Sequence, residues 1–180
     1  MVRILTVLTL GVGKLCLGFL WLWQWKGYAF WAPWAITALT IFYHFGVRLA
    51  VGWGFRRWSP RGTAAWFRPH PWEENLYRTL NIKAWKGKLP TARPKDFLLR
   101  RNNLPQVITA TCRAEVSHEV CLAASFVPLL FAHWFGAFPV FLTTSILAAV
   151  LADLPFVLVQ RYNRPRLVRA AHCRAEKSGA

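Results

Sequence analysis

Long apolar runs alternate along this chain with strongly basic stretches. Ile4 to Trp25 is largely apolar with Lys14 its one charge, and Ala29 to Val51 is likewise apolar but interrupted by His44 and Arg48. A helix of roughly 20 such residues crosses a bilayer core. The third run, CLAASFVPLLFAHWFGAFPVFLTTSILAAVLADLPFVLVQ, is too long for one span. Its WFGAFP stretch predicts two helices joined by a tight turn near Gly136. The third helix is expected to begin in the polar CRAEVSHE segment and to enter the bilayer around Val120. The fourth carries Asp153 in its final turns. Arg48, near the end of its span, is placed to snorkel to the headgroups.

The pattern therefore predicts an all-α, polytopic integral membrane protein. It forms one membrane domain, residues 1–180, with spans at about 4–25, 29–51, 116–135 and 137–159. A basic loop (52–112) and a basic tail (160–180) complete it. In the loop, Trp72, Leu76, Leu80 and Lys83 recur at helical spacing. Glu73 and Glu74 sit where they favour a helix N-terminus, and Pro90 and Pro94 end any helix. The expectation is an amphipathic helix lying on the membrane with Trp and Leu facing it. The N-terminal run is too long for a signal-peptide core and no small-residue cleavage site follows, so it reads as a retained helix.

Charge fixes the orientation. The chain holds 23 Lys and Arg against 7 Asp and Glu, a net charge of +16. The basic residues flank the apolar runs, and no zinc-finger spacing or RNA-binding motif is present. Anionic lipid headgroups are thus the expected partner, and nucleic acid is not. With four spans, both termini and the large loop share one side. All three are basic, whereas the connections at Lys26–Gly27 and Gly136 are nearly uncharged. That side is cytoplasmic by the positive-inside rule, which places the chain in the cell (inner) membrane. Trp21, Trp23, Trp25, Trp31, Trp34, Trp53 and Trp58 fall at the expected interfaces. Cys16, Cys112, Cys121 and Cys173 form no CxxC pair and read as reduced, structural thiols.

Three clusters carry candidate chemistry. In TCRAEVSHE, Glu115 and His118 stand three apart, so a helix puts them on one face. There a carboxylate can orient an imidazole acting as base, with Arg113 beside them. Headgroup-solvated residues at a helix end are the plainer account. In DLPFVLVQRYNRPRL, Asp153 precedes a turn rich in Arg161, Tyr162, Asn163, Arg164 and Arg166, groups suited to phosphate or carboxylate. A positive cap after the last span would look similar. In KAWKGKLP, Trp85 and Lys86 are ordinary interfacial anchors. His70 and His118 match no metal motif, and no metal or cofactor is expected. GxSxG, phosphate-loop and GxGxxG motifs are absent.

Taken in order, WKGKLP (Trp85 to Pro90), TCRAEVSH (Thr111 to His118) and VQRYNRPRL (Val159 to Leu167) resemble the glycosyl-4,4′-diaponeurosporenoate acyltransferase family. The likeness runs from about Tyr77 to Leu167. Ala110, Glu119 and Asp153 depart from residues common in that family. The resemblance implies a membrane acyltransferase that esterifies a fatty acyl group to the sugar of a glycosylated carotenoid or similar glycolipid. It implies site residues among Arg113, Glu115 and His118 for catalysis, and Trp85, Lys86, Asp153, Arg161, Tyr162, Asn163, Arg164 and Arg166 for binding. Physical reasoning makes His118 the base, Glu115 its orienter, and Arg113 or an Arg of the RYNRPR turn the oxyanion or donor ligand. The co-substrate would be an acyl-CoA or acyl-carrier-protein thioester. Two other classes fit the bare residues: a small membrane methyltransferase, and a non-catalytic protein that binds anionic lipid. Oligomeric state is not encoded in any pattern here.

Overall fold

A computed structural model describes residues 2–26, 29–91, 94–98 and 104–179. The expected Lys26–Gly27 connection extends into residues outside that set. Among the described residues all regular structure is helical. In chain order the helices are α1 (Val2–Lys26), α2 (Ala32–Gly54), α3 (Glu73–Thr79), α4 (Ile82–Trp85), α5 (Leu104–Ala124), α6 (Ala132–Phe135), α7 (Phe138–Leu147) and α8 (Leu154–Gly179). Four helical segments are long and apolar enough to cross a membrane: Arg3–Trp25, Ala32–Arg57, Leu104–Phe135 and Phe138–Glu176. The protein is thus an all-α polytopic membrane protein.

The chain folds as two compact units. The first comprises Met1–Gly54 and Val120–Asp153, the second Phe55–Glu119 and Leu154–Ala180.

In the first unit α1 packs along α2 through small residues. Ala35 and Ala38 are buried, and Gly13 admits the Phe42 ring, which a Cβ would meet at 3.0 Å. Small contact residues let helices approach where lipid offers no hydrophobic drive. The outer surface of α1 keeps Ile4, Val7, Leu10, Leu15 and Leu17 exposed, as lipid contact requires. Thr9 and Thr40 donate their hydroxyls to carbonyls one turn back, Leu5 at 2.7 Å and Ile36 at 2.8 Å. Neither hydroxyl is then left bare in hydrocarbon. Gly136, at φ 61°, ends α6 in the left-handed conformation and makes the expected turn into α7.

A π-helical stretch, Ala148–Asp153, follows α7. Here one expectation is corrected. Arg48 does not reach for headgroups. Its guanidinium is ion-paired to Asp153, whose side chain is 0% exposed, and donates to the Ala148 carbonyl at 3.0 Å and Ser125 Oγ at 3.3 Å. A fully buried carboxylate left unpaired is costly, and Arg48 supplies its partner.

In the second unit two helices differ from the sequence expectation. α5 starts at Leu104, about two turns before the polar segment thought to begin it, where Leu104, Val107 and Ala110 are buried. The RYNRPR stretch is helix, not turn, and α8 runs through Pro165. Proline removes one backbone bond there, and Arg161 and Arg164 anchor that stretch of α8 to Glu73 and Glu115. The loop helix is also two pieces. Asn81, at φ 47°, separates α3 from α4. Asparagine is among the few residues that accept this conformation, and Trp85 Nε1 bridges the break to the Leu80 carbonyl at 2.9 Å. Trp72 and Leu80 remain exposed while Glu73 and Ile82 are buried.

Candidate functional site

Side chains from three separate stretches of the second unit meet around one buried carboxylate. Glu115, on α5, is fully buried. Its Oε1 accepts from Arg161 Nη1 at 2.9 Å, and its Oε2 is ion-paired with Arg164. Arg161 also grips Glu73 of α3 through Nη2 at 2.6 Å and Nε at 2.9 Å. Tyr77, one turn on, donates to the other Glu73 oxygen at 2.7 Å. Arg164 is 2% exposed, donates through Nε to the Phe67 carbonyl at 3.2 Å and lies 4.8 Å from the Phe67 ring centre. Tyr77, Glu73, Arg161, Glu115 and Arg164 thus form a continuous chain of charge-assisted bonds.

Electrostatics follow from this enclosure. Burial pushes the Glu73 carboxyl up, but hydrogen bonds from Tyr77 and Arg161, with the guanidinium charge, outweigh it and leave it below the usual carboxylate range. Burial, then the bond to Glu73 and its charge, push the Tyr77 phenol up, so it stays protonated.

A second cluster surrounds Tyr162. Lys86 donates to Asn163 Oδ1 at 2.8 Å and lies 4.8 Å from the Tyr162 ring centre. The Arg166 guanidinium lies 3.7 Å from the same ring, and Tyr77 meets its edge at 5.5 Å. Burial, then the charges of Arg166 and Lys83, lower the Lys86 ammonium from its ordinary value. Crowded cations held by an aromatic ring are suited to an anion.

Each member of the expected trio has partners outside it. Arg113 turns to the Arg56 carbonyl, 2.8 Å away. Glu115 gives its oxygens to Arg161 and Arg164. His118 is half-buried, with its ring stacked on Phe156 at 4.6 Å between centres and 9° between planes. Asp153 lies in the first unit, committed to Arg48. Trp85 closes the α3–α4 break. Lys86, Tyr162, Asn163 and Arg166 do come together, as do Arg161 and Arg164 with Glu115.

Sequence reasoning missed Glu73 and Tyr77 as members of the network, reading Glu73 only as a helix-start residue. Scarcity was the available signal. With 7 acids against 23 bases, each acid near an aromatic at i+4 is a candidate partner for a buried arginine.

Two observations from comparison with known proteins bear on this geometry. A family model described as glycosyl-4,4′-diaponeurosporenoate acyltransferase matches residues 63–172. That range takes in every member of both clusters. No curated protein and no solved structure matches the chain.

Proposed function

The chain belongs to the glycosyl-4,4′-diaponeurosporenoate acyltransferase family, and from that premise we propose how and where it transfers its acyl group. The family is an acyltransferase, and its acceptor is a glycosylated carotenoid. The finer reading is transfer of a fatty acyl group from an acyl-CoA or acyl-carrier-protein thioester to a sugar hydroxyl of that lipid or a similar glycolipid. The reaction takes place at the cytoplasmic face of the cell membrane, with both termini on that side and anionic headgroups around the basic loop.

One observation carries this reading. The three motifs are joined side chain to side chain: Arg161 and Arg164 to Glu115, and Asn163 to Lys86. A solvated basic cap would leave them apart.

The chemistry needs a base, a place for the donor and charge for the oxyanion. His118 is the base. Phe156 fixes the plane of its ring. It takes the hydroxyl proton as the sugar oxygen attacks the thioester carbonyl. The carbon–sulfur bond then breaks, and the departing thiolate receives that proton. Lys86 and Arg166, set on the Tyr162 ring, hold the phosphate of the donor's phosphopantetheine arm, and Asn163 restrains Lys86. Glu115 is a positioning residue that fixes Arg161 and Arg164, and through them the register of α8 against α5.

The test uses purified full-length protein in nanodiscs with a glycosylated carotenoid, offered labelled acyl-CoA or labelled S-adenosylmethionine. Acyl label should reach the lipid and methyl label should not. His118→Ala should lower turnover by about 10²–10⁴-fold while membrane insertion is unchanged. Methyl transfer, or near-normal acyl transfer by His118→Ala, would refute the reading in its substrate or its base respectively.

A further inference from the structure

Glu115, His118 and Glu119 share one face of α5, the last two standing three and four positions beyond the first. At 3.6 residues per turn His118 and Glu119 diverge to opposite sides of Glu115, by roughly 60° and 40°. Each side carries an aromatic ring. His118 is stacked on Phe156 of α8. Glu119 holds Trp66, whose Nε1 donates to its Oε2 at 2.9 Å. The backbone ties Trp66 to the same place. Its carbonyl lies 3.5 Å from Arg161 Nη1, the group that also donates to Glu115. The Phe67 carbonyl that follows accepts from Arg164 Nε. Trp66 is thus fixed at both its backbone and its indole along the face of α5 that bears His118.

Trp66 is nonetheless 64% exposed, whereas its neighbour Phe67 is 6% exposed. The segment buries one ring and holds the other out. A tryptophan that only anchors a chain at a membrane interface turns its indole N–H to water or headgroups. This one is bonded to a carboxylate, which sets the plane of a large exposed ring. The pairing of groups selects the ligand. The negative face of an indole beside a carboxylate repels a phosphate. A hydrocarbon chain would cover the ring but strip water from Glu119 without replacing it. A cation would suit ring and carboxylate but would meet the Arg161 guanidinium next to them. A sugar ring satisfies the set. Its C–H face lies flat on the indole, and its hydroxyls donate to Glu119.

We infer that Trp66 is the platform on which the sugar of the glycosylated acceptor stacks, with Glu119 both setting the indole and accepting from a sugar hydroxyl. His118 is the next side chain along α5, about 1.5 Å along the axis and 100° around it, so another hydroxyl of the same ring is presented to the base. This rests on the acceptor and the base named above but not on the donor. Trp66 and Glu119 are thereby acceptor-binding residues, on the opposite side of Glu115 from the His118–Phe156 stack.

The test is titration of methyl β-glucoside against the full chain in zwitterionic nanodiscs, read by saturation-transfer difference NMR. Saturation should reach the C–H protons of one face of the sugar most strongly. Trp66→Ala should raise the Kd by several-fold to about tenfold, the scale of a lost aromatic contact, and Trp66→Tyr, which keeps a ring, should regain part of it. In acyl transfer Trp66→Ala should raise the KM for the glycosylated carotenoid and leave that for the donor unchanged, a split that a damaged fold would not give. If Trp66→Ala fails to fold, Glu119→Ala, which keeps the indole but not its anchor, should weaken glucoside binding in the same direction. Wild-type glucoside affinity in either folded variant, or an equal rise in both KM values, overturns the assignment. The binding arm contains no thioester and needs no base. Glucoside binding that depends on Trp66, beside normal acyl transfer by His118→Ala, would refute the base and leave the platform standing.

Discussion

A Cβ on residue 62 would stand 2.4 Å from Ile108 Cγ2, and 3.7 Å from Cys112 Sγ. Gly62 thus lets the loop after α2 lie directly on α5. Gly62→Ala should destabilise the fold by about 1–3 kcal/mol, as overpacking does, seen as a lowered midpoint in detergent unfolding. Ile108→Ala in the same chain should recover part of that loss. Glu73 gives a different residue-scale prediction. Its carboxyl is held below the ordinary range, so the stability it contributes is complete above the unfolded carboxylate value. That contribution is lost as pH falls through the depressed folded value. Thermal stability measured against pH should drop at the acid end for the wild type, and the drop should be smaller for Glu73→Gln. Neither residue was legible beforehand for what it does. Gly62 is one of several glycines in a loop, and Glu73 meets Arg161 across 88 residues of sequence.

At the scale of elements, what could be read was whatever repeats along the chain. Apolar runs gave the membrane-length helices, and Gly136 gave their turn. Glu115 and His118 were correctly placed one turn apart. Periodicity could not say which neighbours they would choose, since that depends on α8 packing beside α5. The same limit hid the start of α5, a helix made stable by burial rather than by an apolar stripe, and the pairing of Arg48 with Asp153 across 105 residues. That pair ties α2 to the π-helical stretch, with Arg48 capping the Ala148 carbonyl. Removing one partner strands the other, so Asp153→Ala should cost about 3–5 kcal/mol. Arg48→Met with Asp153→Leu, an apolar pair of similar bulk, should regain most of it. Reversible unfolding in mixed micelles would measure both, and a double variant as weak as Asp153→Ala would argue against the pairing.

At the scale of the whole molecule, membrane class and basic surface were plain from composition and distribution. Orientation is testable with a natural reporter. Cys16, Cys112 and Cys121 are buried and Cys173 is exposed. With cytoplasmic termini, a membrane-impermeant maleimide should label Cys173 in inside-out vesicles and not in intact cells. A cysteine placed at the exposed Trp134 position should show the reverse.

Both buried ion clusters balance in formal charge. Arg161 and Arg164 face Glu73 and Glu115, and Arg48 faces Asp153. The entire surplus of +16 therefore sits on groups outside them. A bilayer of acidic lipids neutralises that shell, whereas a nonionic micelle does not. Solubilised protein should then suffer like-charge repulsion that a native membrane relieves. Added electrolyte, which shortens the screening distance from about 30 Å at 0.01 M to about 10 Å at 0.1 M, should raise its melting temperature in micelles and do little in acidic vesicles.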